Sequence, residues 1–531
     1  MDEKVDVVVI GSGVSGLLAC SLLSRLGKKV LLLERHNIVG GYLQGFERKG
    51  FVFDSAIHWL NQYNDEGTIT QVFSMLGKDY PKPQPMKRIQ NHITSSHRYL
   101  LSSNPEELKN QLIEDFPHEK DGIERFFKVA RKIAAVSKKF NQFFQSVETK
   151  AWYEMPFFRM KQLSIIYPLI PYALHSGDEG IKKGLSKFFT DPNLQDLFCT
   201  ERDLLSCLFP IAWAYNGDYQ NPPIGGSQVI PKWLQTQINP DLAEIRLSCD
   251  VTRFEWEGDK ISGVYFTHRA KEQLVKTDYV IAACDAPFLY QQLVPQQHVP
   301  RDFFKKLEEA ELYSSSVTLS IALDCPAEDL GFGHELTLIC EEGISRDEHS
   351  AGNPHTAAIS VLAPSVRDKS LCPPSTGTLT VYVPAWIDYE QEWQTTKNSK
   401  GQYVRTDAYK ALKQQFAEIV LDRVCANMCV DLRKHILFME IATPITYHRY
   451  TRNFQGTMMG ARPGKKNMQS KIAHYQTPVS NLIIGSQWAE LGGGVPIAVK
   501  SGFNASLMVL KKSDPTKFRT LLNAFKHKLP I

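Results

Sequence analysis

The opening βαβ unit constrains this chain more than any other feature. Val5-Asp6-Val7-Val8-Val9-Ile10 is an apolar, β-branched run of the kind a strand buried on both faces shows, and it leads straight into Gly11-Ser12-Gly13-Val14-Ser15-Gly16. A helix then reads from Leu17 to Leu26, and a second buried strand, Val30-Leu31-Leu32-Leu33, ends in Glu34. Gly11 permits the tight turn, Gly13 leaves room for a pyrophosphate against the backbone, and Gly16 lets the helix pack on the strand. The phosphates would sit on the helix N-terminus around Ser15, and Glu34 stands where a carboxylate holds ribose hydroxyls. Strand, turn, helix, strand and carboxylate in register make a dinucleotide-binding half, not a lone glycine motif.

After Glu34 the chain continues Arg35-His36-Asn37-Ile38-Val39-Gly40-Gly41-Tyr42, and later Phe53-Asp54-Ser55-Ala56-Ile57-His58-Trp59. Here the sequence resembles the phytoene desaturase, carotenoid isomerase and retinol saturase family of FAD-dependent oxidoreductases. The resemblance implies an α/β fold: a Rossmann-like FAD-binding domain of the glutathione reductase/amine oxidase type with an inserted α+β substrate domain. It places Arg35 and the Gly40-Gly41 pair against FAD, and the Asp54–His58 segment beside the isoalloxazine. The FAD domain would be discontinuous, made of residues 1–62, 222–286 and 443–512. Residues 63–221 and 287–442 would form the substrate domain, and 513–531 a tail.

Two later stretches carry the same resemblance. At Asn221-Pro222-Pro223-Ile224-Gly225-Gly226-Ser227 the chain returns to the nucleotide domain, with a helix over 229–238 and then strands, in which Val251 would hold the adenine through its backbone. Near the far end, Asn481-Leu482-Ile483-Ile484-Gly485-Ser486-Gln487-Trp488-Ala489-Glu490-Leu491-Gly492-Gly493-Gly494-Val495-Pro496 reads as a strand, a glycine-rich turn and a helix from Ile497 to Leu510. Gly485, Ser486, Gly494, Pro496 and Ile497 would close on the cofactor, with N–H groups near Pro496-Ile497-Ala498 favouring negative charge at the flavin. Many members of the family carry an acidic residue where Ser486 stands, so the polar contact here would be weaker.

Between these pieces the pattern changes. Helices are expected from Pro105 and over 122–144, strands over 317–323, 335–339, 356–361 and 378–383, and one long helix over 407–428. The stretch from Ala151 to Leu174 is aromatic and apolar, but Pro168 and Pro171 exclude a continuous membrane-crossing helix. It reads as a wall of the protein's own core or substrate tunnel, with a surface dipping into lipid as the alternative. In the tail, Phe518, Leu521, Leu522 and Phe525 follow helical spacing between Lys517, Arg519, Lys526 and Lys528. This basic amphipathic helix over 514–531 suits either an anionic membrane surface or docking on the body of the protein.

Composition narrows the remaining classes. Hydrophobic residues at 43% supply a core, charged residues at 22% argue against disorder, and a net charge of +4 over 531 residues does not suggest a nucleic-acid binder. Ten cysteines show no metal-ligand or redox spacing and read as buried thiols of a reducing, cytoplasmic setting; Cys425 and Cys429 could face one another on a helix, where core packing is the simpler reading. The first strand begins within a few residues of the N-terminus, leaving no room for a secretory signal, and no apolar stretch reaches the ~18 residues of a span. A soluble or peripheral protein is expected, with no metal site.

The chemistry implied by the resemblance is hydride exchange between flavin N5 and an unactivated carbon of a hydrophobic polyene or isoprenoid. Such a substrate offers no group to polarise, so the protein mainly positions it and excludes water. His58 and Trp59, then Trp488 and Glu490, are the candidates for the active-site wall and proton transfer, with core packing or a structural hydrogen bond as the alternative role for each. No second G-x-G-x-x-G follows a strand downstream, so electrons would be exchanged with a transient partner, a quinone or a nicotinamide visiting the same pocket. Desaturation, saturation and isomerisation all remain open. A flavin amine oxidase and a non-enzymatic lipid-binding protein that retains FAD are the two alternative classes.

Overall fold

The structure, a computed structural model, describes residues 4–199, 201, 203–399, 401–428 and 431–531. The first strand, Lys4–Ile10, lies in the middle of a seven-stranded sheet in the order Cys249–Glu257, Lys260–His268, Lys271–Ala282, Lys4–Ile10, Val30–Leu33, Ala243–Arg246, with Leu482–Ile484 paired to Lys271–Ala282. The pairs around Lys4–Ile10 are parallel, while Cys249–Glu257 and Lys260–His268 form an antiparallel extension. Val7, Val8 and Val9 are wholly buried because helices cover the central strands. The helix Val14–Arg25 packs so closely on Gly494–Ser513 that a Cβ at Gly502 would collide with the carbonyl of Ser15. The two ends of the chain thereby meet over one sheet.

A second seven-stranded sheet runs in the order Ile436–Ala442, Ser315–Leu323, Gly377–Ala385, Ile359–Leu362, Leu336–Ile339, Arg88–Ile93, Arg98–Ser102. Only the Leu336–Ile339 and Arg88–Ile93 pair is parallel. On its outer face Val317, Leu319, Ile321, Val381 and Val383 form a core with Phe416, Val420 and Val424 of the helix Asp407–Met428. Strand side chains alternate, so the opposite face carries Ser316, Thr318 and Ser320 and, from the next strand, Tyr382. This face looks into the cavity described below. A third core joins the helices Pro105–Asp115, Lys120–Ser137, Asp178–Leu185, Pro192–Phe198 and Leu204–Tyr215.

Packing redraws several sequence expectations. The helix Thr68–Leu76 and residues 289–307, assigned above to the substrate domain, bury Ile69, Phe73, Leu289, Tyr290 and Leu307 in the core of the nucleotide sheet. The tail is not free: in the helix Pro515–His527, Leu521 and Ala524 are buried, Phe525 lies 4.9 Å from both Phe144 and Phe503, and the Phe525 carbonyl accepts from Gln71 Nε2 at 2.6 Å. Its apolar face packs on the body, the docking that was one of the two readings of the tail, with Phe518, Leu522 and Phe525 half-buried. Residues 151–174 do the reverse. Ile165 and Leu169 are buried, but most of the other large apolar side chains of the stretch stand in solvent, so it is not the core wall expected. Among the described residues no cysteine forms a disulfide; Cys425 packs beside the second core, and Cys429 lies outside the described residues. No helix among them is long and apolar enough to cross a membrane.

Candidate active site

The C-terminal ends of the nucleotide strands and the polar face of the second sheet enclose one large cavity of about 2000 Å³. Its nucleotide end is built from backbone. Gly11, at φ +102°, leaves no room for a side chain beside the Ala283 carbonyl, and a Cβ at Gly16 would strike the Gly11 carbonyl; both serve close packing. Gly13 is different: a Cβ there would meet nothing, because it would point into the cavity. The helix Val14–Arg25 starts at Gly13 with no side-chain cap and no acidic residue in its first turn, so the N–H groups around Ser15 face the cavity free to meet phosphate. Gly40 donates to the Ser12 carbonyl at 3.0 Å, and Gly41 lies against Gly13; both have positive φ, which lets that loop run beside the turn.

Glu34 is held by Ser12, whose N–H and hydroxyl donate to Oε2 at 2.8 and 2.7 Å, and by the His36 N–H, which donates to Oε1 at 2.7 Å. Its remaining lone pairs face the cavity. Arg35 lines the same region but sends its guanidinium to the carbonyls of Arg449 and Tyr450 at 2.9 and 2.7 Å. Val251 presents its backbone at the start of the strand whose first residue, Cys249, donates to the Glu34 carbonyl. Across the cavity, Gly494, Pro496, Ile497 and Ala498 open the helix Gly494–Ser513, again with no side-chain cap and no acidic first turn. Since Pro496 has no N–H, the first-turn donors left without an intrahelical partner are those of Gly494 and Val495.

Two buried polar atoms in this wall, Ser486 Oγ and His36 Nδ1, have no partner among the described residues. Uncapped helix starts, an open space at Gly13 and orphaned polar atoms are what a polyanionic dinucleotide would fill, so the residues fit FAD.

Several predicted site residues stand elsewhere. Asp54 does not line the cavity; its carboxylate accepts from the Ser227 N–H and hydroxyl at 2.7 and 2.6 Å and so ties the Gly225-Gly226-Ser227 turn to the first piece of the chain, with burial pushing its pKa up. Gly485 is a packing glycine, pressed on Ile281. Trp488 is buried behind the wall, donating from Nε1 to Asp285 at 3.0 Å. Glu490 is likewise turned away, accepting from Tyr475 Oη at 2.8 Å and paired with Lys500 at 3.1 Å. Local spacing placed these residues near the cofactor turn but could not say which side of it they face.

His58 and Trp59 do line the cavity. Burial, aided by the charge of Arg367, lowers the His58 pKa to about 4, so the ring is neutral, and it packs on Tyr382 with centroids 4.6 Å apart. Arg367 stands behind it, donating to the His58 carbonyl at 3.0 Å; its own pKa is lowered to about 10 by burial. Trp59 donates to Asn61 at 3.1 Å and meets Tyr219 edge-on. The sequence reading missed Tyr382, whose buried hydroxyl donates to no group among the described residues, and Tyr42 and Tyr447, which line the same wall. The alternation Thr378, Thr380, Tyr382 against Leu379, Val381, Val383 was the available signal of a two-faced strand. Away from the cavity, Asp324, Cys325 and His435 bring three ligand-type atoms within 4.8 Å at one end of the second sheet, a grouping no cysteine spacing foretold.

This architecture is that of a flavin oxidoreductase. The description "Flavin containing amine oxidoreductase" matches residues 14–510, and the chain belongs to that family. It is 24% identical to zebrafish (Danio rerio) all-trans-retinol 13,14-reductase, covering 91% of this chain and 82% of the relative. It is 26% identical to the chloroplastic prolycopene isomerase of Daucus carota, over 86% and 72%. A redesigned putrescine oxidase shares the fold at a TM-score of 0.59 and 15% identity, covering 96% of this chain and 99% of that one. Within the family, then, the chain is an FAD oxidoreductase, and it is similar to relatives named as retinoid and carotenoid reductases, isomerases and desaturases.

Proposed function

We propose that the protein exchanges hydride between FAD and a C–C or C=C bond of an isoprenoid chain that carries an oxygen function. The observation that carries this reading is the cavity-facing side of the second sheet. Tyr382 Oη is buried there beside the Ile57 backbone and donates to no group among the described residues, next to the neutral His58 ring, and Ser316, Thr318, Ser320 and Ser360 stand on the same face. The remainder of the lining includes Trp59, Phe140, Phe209, Trp213 and Tyr219, a surface suited to a polyene. His92, farther along the sheet, is also held neutral, its pKa lowered to about 4 by burial and by His349.

Bound FAD supplies the hydride chemistry, which no side chain offers. The uncapped helix starts bind its phosphates and favour negative charge near Gly494 and Val495. Trp59 and Tyr219 hold the chain by apolar contact and exclude water, and Tyr382 donates a hydrogen bond that orients an oxygenated end. With His58 neutral at ordinary pH, its ring can pass a proton without fixing a charge in the wall. The retinol reductase and prolycopene isomerase relatives support a retinoid- or carotenoid-like substrate.

An anaerobic screen tests this. The flavin-loaded protein, oxidised and then chemically reduced, is incubated with hydroxylated isoprenoids, carotenoid hydrocarbons and alkyl amines, and products are read by mass. Loss or gain of two hydrogens, or an isomer of unchanged mass, in the isoprenoid set is expected. Flavin that amines alone reduce would make the protein an amine oxidase, and flavin that answers no substrate would leave it a binding protein.

A further inference from the structure

The apolar stretch the sequence placed in a core is the largest unexplained surface of the molecule. Trp152, Tyr153 and Phe157 are 83, 69 and 69% exposed, and Leu163, Tyr167 and Leu174 are 63, 74 and 75% exposed. These side chains project from the helix Met155–Ile166 and the turns around it, and Ile166 and Ile170 are exposed beside them. Contiguous apolar surface of this extent is not left in water by a monomer without a use. Ile165 and Leu169 fasten the stretch to the body, and Leu169 joins the third core, so the exposed side chains stand on a fixed support.

What borders the patch selects the partner. Lys150 lies over the Phe158 ring at 5.3 Å, and the Lys511 ammonium donates to the Lys150 carbonyl at 2.9 Å. Lys150, Lys161 and Lys526 are close enough that the latter two act on the Lys150 charge, while Glu154 is the one acidic group acting on it. Lys526 belongs to the C-terminal helix, whose apolar face is docked on the body. That helix therefore contributes charge to the patch and no apolar surface. Exposed apolar side chains interleaved with Arg159 and Lys161 and fringed by further ammonium groups match the acyl boundary and the anionic headgroups of a bilayer.

We infer that residues 152–174, with the basic fringe of Lys150, Lys161 and Lys526, dock the protein on an anionic phospholipid bilayer without crossing it. The position has a consequence for access. Phe158 of the exposed helix meets Phe143 edge-on at 5.5 Å, and Phe143, Phe140 and Phe144 line the cavity. The segment that enters lipid thus rests on the aromatic wall of the cavity, where an isoprenoid dissolved in the bilayer would arrive. The access route rests on the function proposed above; the docking does not.

The test uses the full flavin-loaded chain and flotation with vesicles of phosphatidylcholine mixed with phosphatidylglycerol, and with vesicles of phosphatidylcholine alone. The wild type is expected to float with the mixed vesicles and to shift its tryptophan emission to the blue. The variant Trp152→Ser/Phe157→Ser/Leu163→Ser/Tyr167→Ser should keep its flavin spectrum and circular dichroism and lose at least ~tenfold in vesicle binding. Lys161→Gln/Lys526→Gln should lose about fivefold per charge on the mixed vesicles only. Wild type that stays in solution, or a quadruple variant that floats equally well, overturns the proposal. So does a wild-type dimer in lipid-free solution that the quadruple variant abolishes while no vesicle binding is seen, since the patch would then meet a second copy. A protein that floats yet transforms no isoprenoid refutes the reaction proposed above and leaves the docking standing.

Discussion

The two seven-stranded sheets do their work by different means. In the nucleotide sheet both faces of the central parallel strands are buried, and what faces its end of the cavity is largely backbone: Gly13, Gly41, and the first turns of the helices beginning at Val14 and Gly494. In the second sheet one face is core and the other is cavity, and what faces the cavity is side chains such as Tyr382, Ser316 and Thr318. Backbone recognition demands glycine at fixed spacing and survives most other changes. Side-chain recognition is free to vary wherever the strand alternation is kept. On the function proposed above, the difference means that one sheet sets the chemistry and the other sets what it acts on.

The sharpest way to break the first half of that contrast is within one turn. Gly16→Ala places a methyl group in the Gly11 carbonyl, a collision with backbone that cannot yield, and should cost about 3 kcal/mol or more of stability in urea unfolding. Gly13→Ala places the same methyl in open cavity. The apoprotein should unfold as the wild type does, while FAD affinity, followed by flavin fluorescence, should drop on the order of a hundredfold, or about 2.7 kcal/mol. Equal loss of fold in both variants would remove the distinction between a packing glycine and a phosphate glycine.

The second sheet offers the matching pair. Leu319→Ala empties a wholly buried site on the core face and should destabilise by about 2–5 kcal/mol. Ser320→Ala, one residue on and facing the cavity, should change stability by about 1 kcal/mol or less and alter KM instead. Comparable destabilisation from both would mean that the polar face is held by packing, not kept for a ligand.

These pairs also explain what could be read from the sequence. Gly11, Gly13, Gly16, Glu34 and the Gly492-Gly493-Gly494 turn were legible because backbone chemistry tolerates few residue types at a fixed spacing. Trp488 and Glu490 lie in the same legible turn, yet they point into the core and toward Lys500; spacing gives proximity along the chain and not the side a residue faces. Tyr382 was illegible as a site residue because its neighbours His58 and Arg367 come from other segments, brought together only by tertiary packing. The stretch 151–174 and the tail exchanged roles for a related reason. An amphipathic pattern fits membrane and protein equally, and only the presence of Phe144 and Phe503 under Phe525 decides for protein.

A pH experiment probes the seam between the two halves of the cavity. Asp218 is buried, its Oδ1 accepting from the Gln62 N–H at 2.6 Å and its Oδ2 from Gln62 Nε2 at 2.8 Å, and burial raises its pKa from 3.8 to about 6. Because the folded value is the higher one, the carboxyl is neutral in both states below about 4. As pH rises toward 6 the unfolded chain ionises first, stability falls, and the loss is complete above about 6. It should reach on the order of 3 kcal/mol at neutral pH. In Asp218→Asn the Gln62 amide can turn so that its unpartnered Oε1 accepts from the new amide, and that part of the pH dependence should vanish from the urea midpoints. A variant whose midpoints track the wild type across this range would assign the dependence to other groups.

The smallest expected effect is the most specific. Tyr382→Phe removes a buried hydroxyl that donates to no group among the described residues and changes nothing else in shape, so stability should change by about 1 kcal/mol or less. If the hydroxyl waits for a substrate oxygen, kcat/KM on a hydroxylated isoprenoid should drop about tenfold, ~1.4 kcal/mol, while turnover of the corresponding hydrocarbon stays level. That divergence is what a selecting side-chain face predicts. An equal drop on both substrates would mean instead that Tyr382 acts by steadying the neutral His58 ring 4.6 Å away, and the second sheet would then share in the chemistry as well as in the choice of substrate.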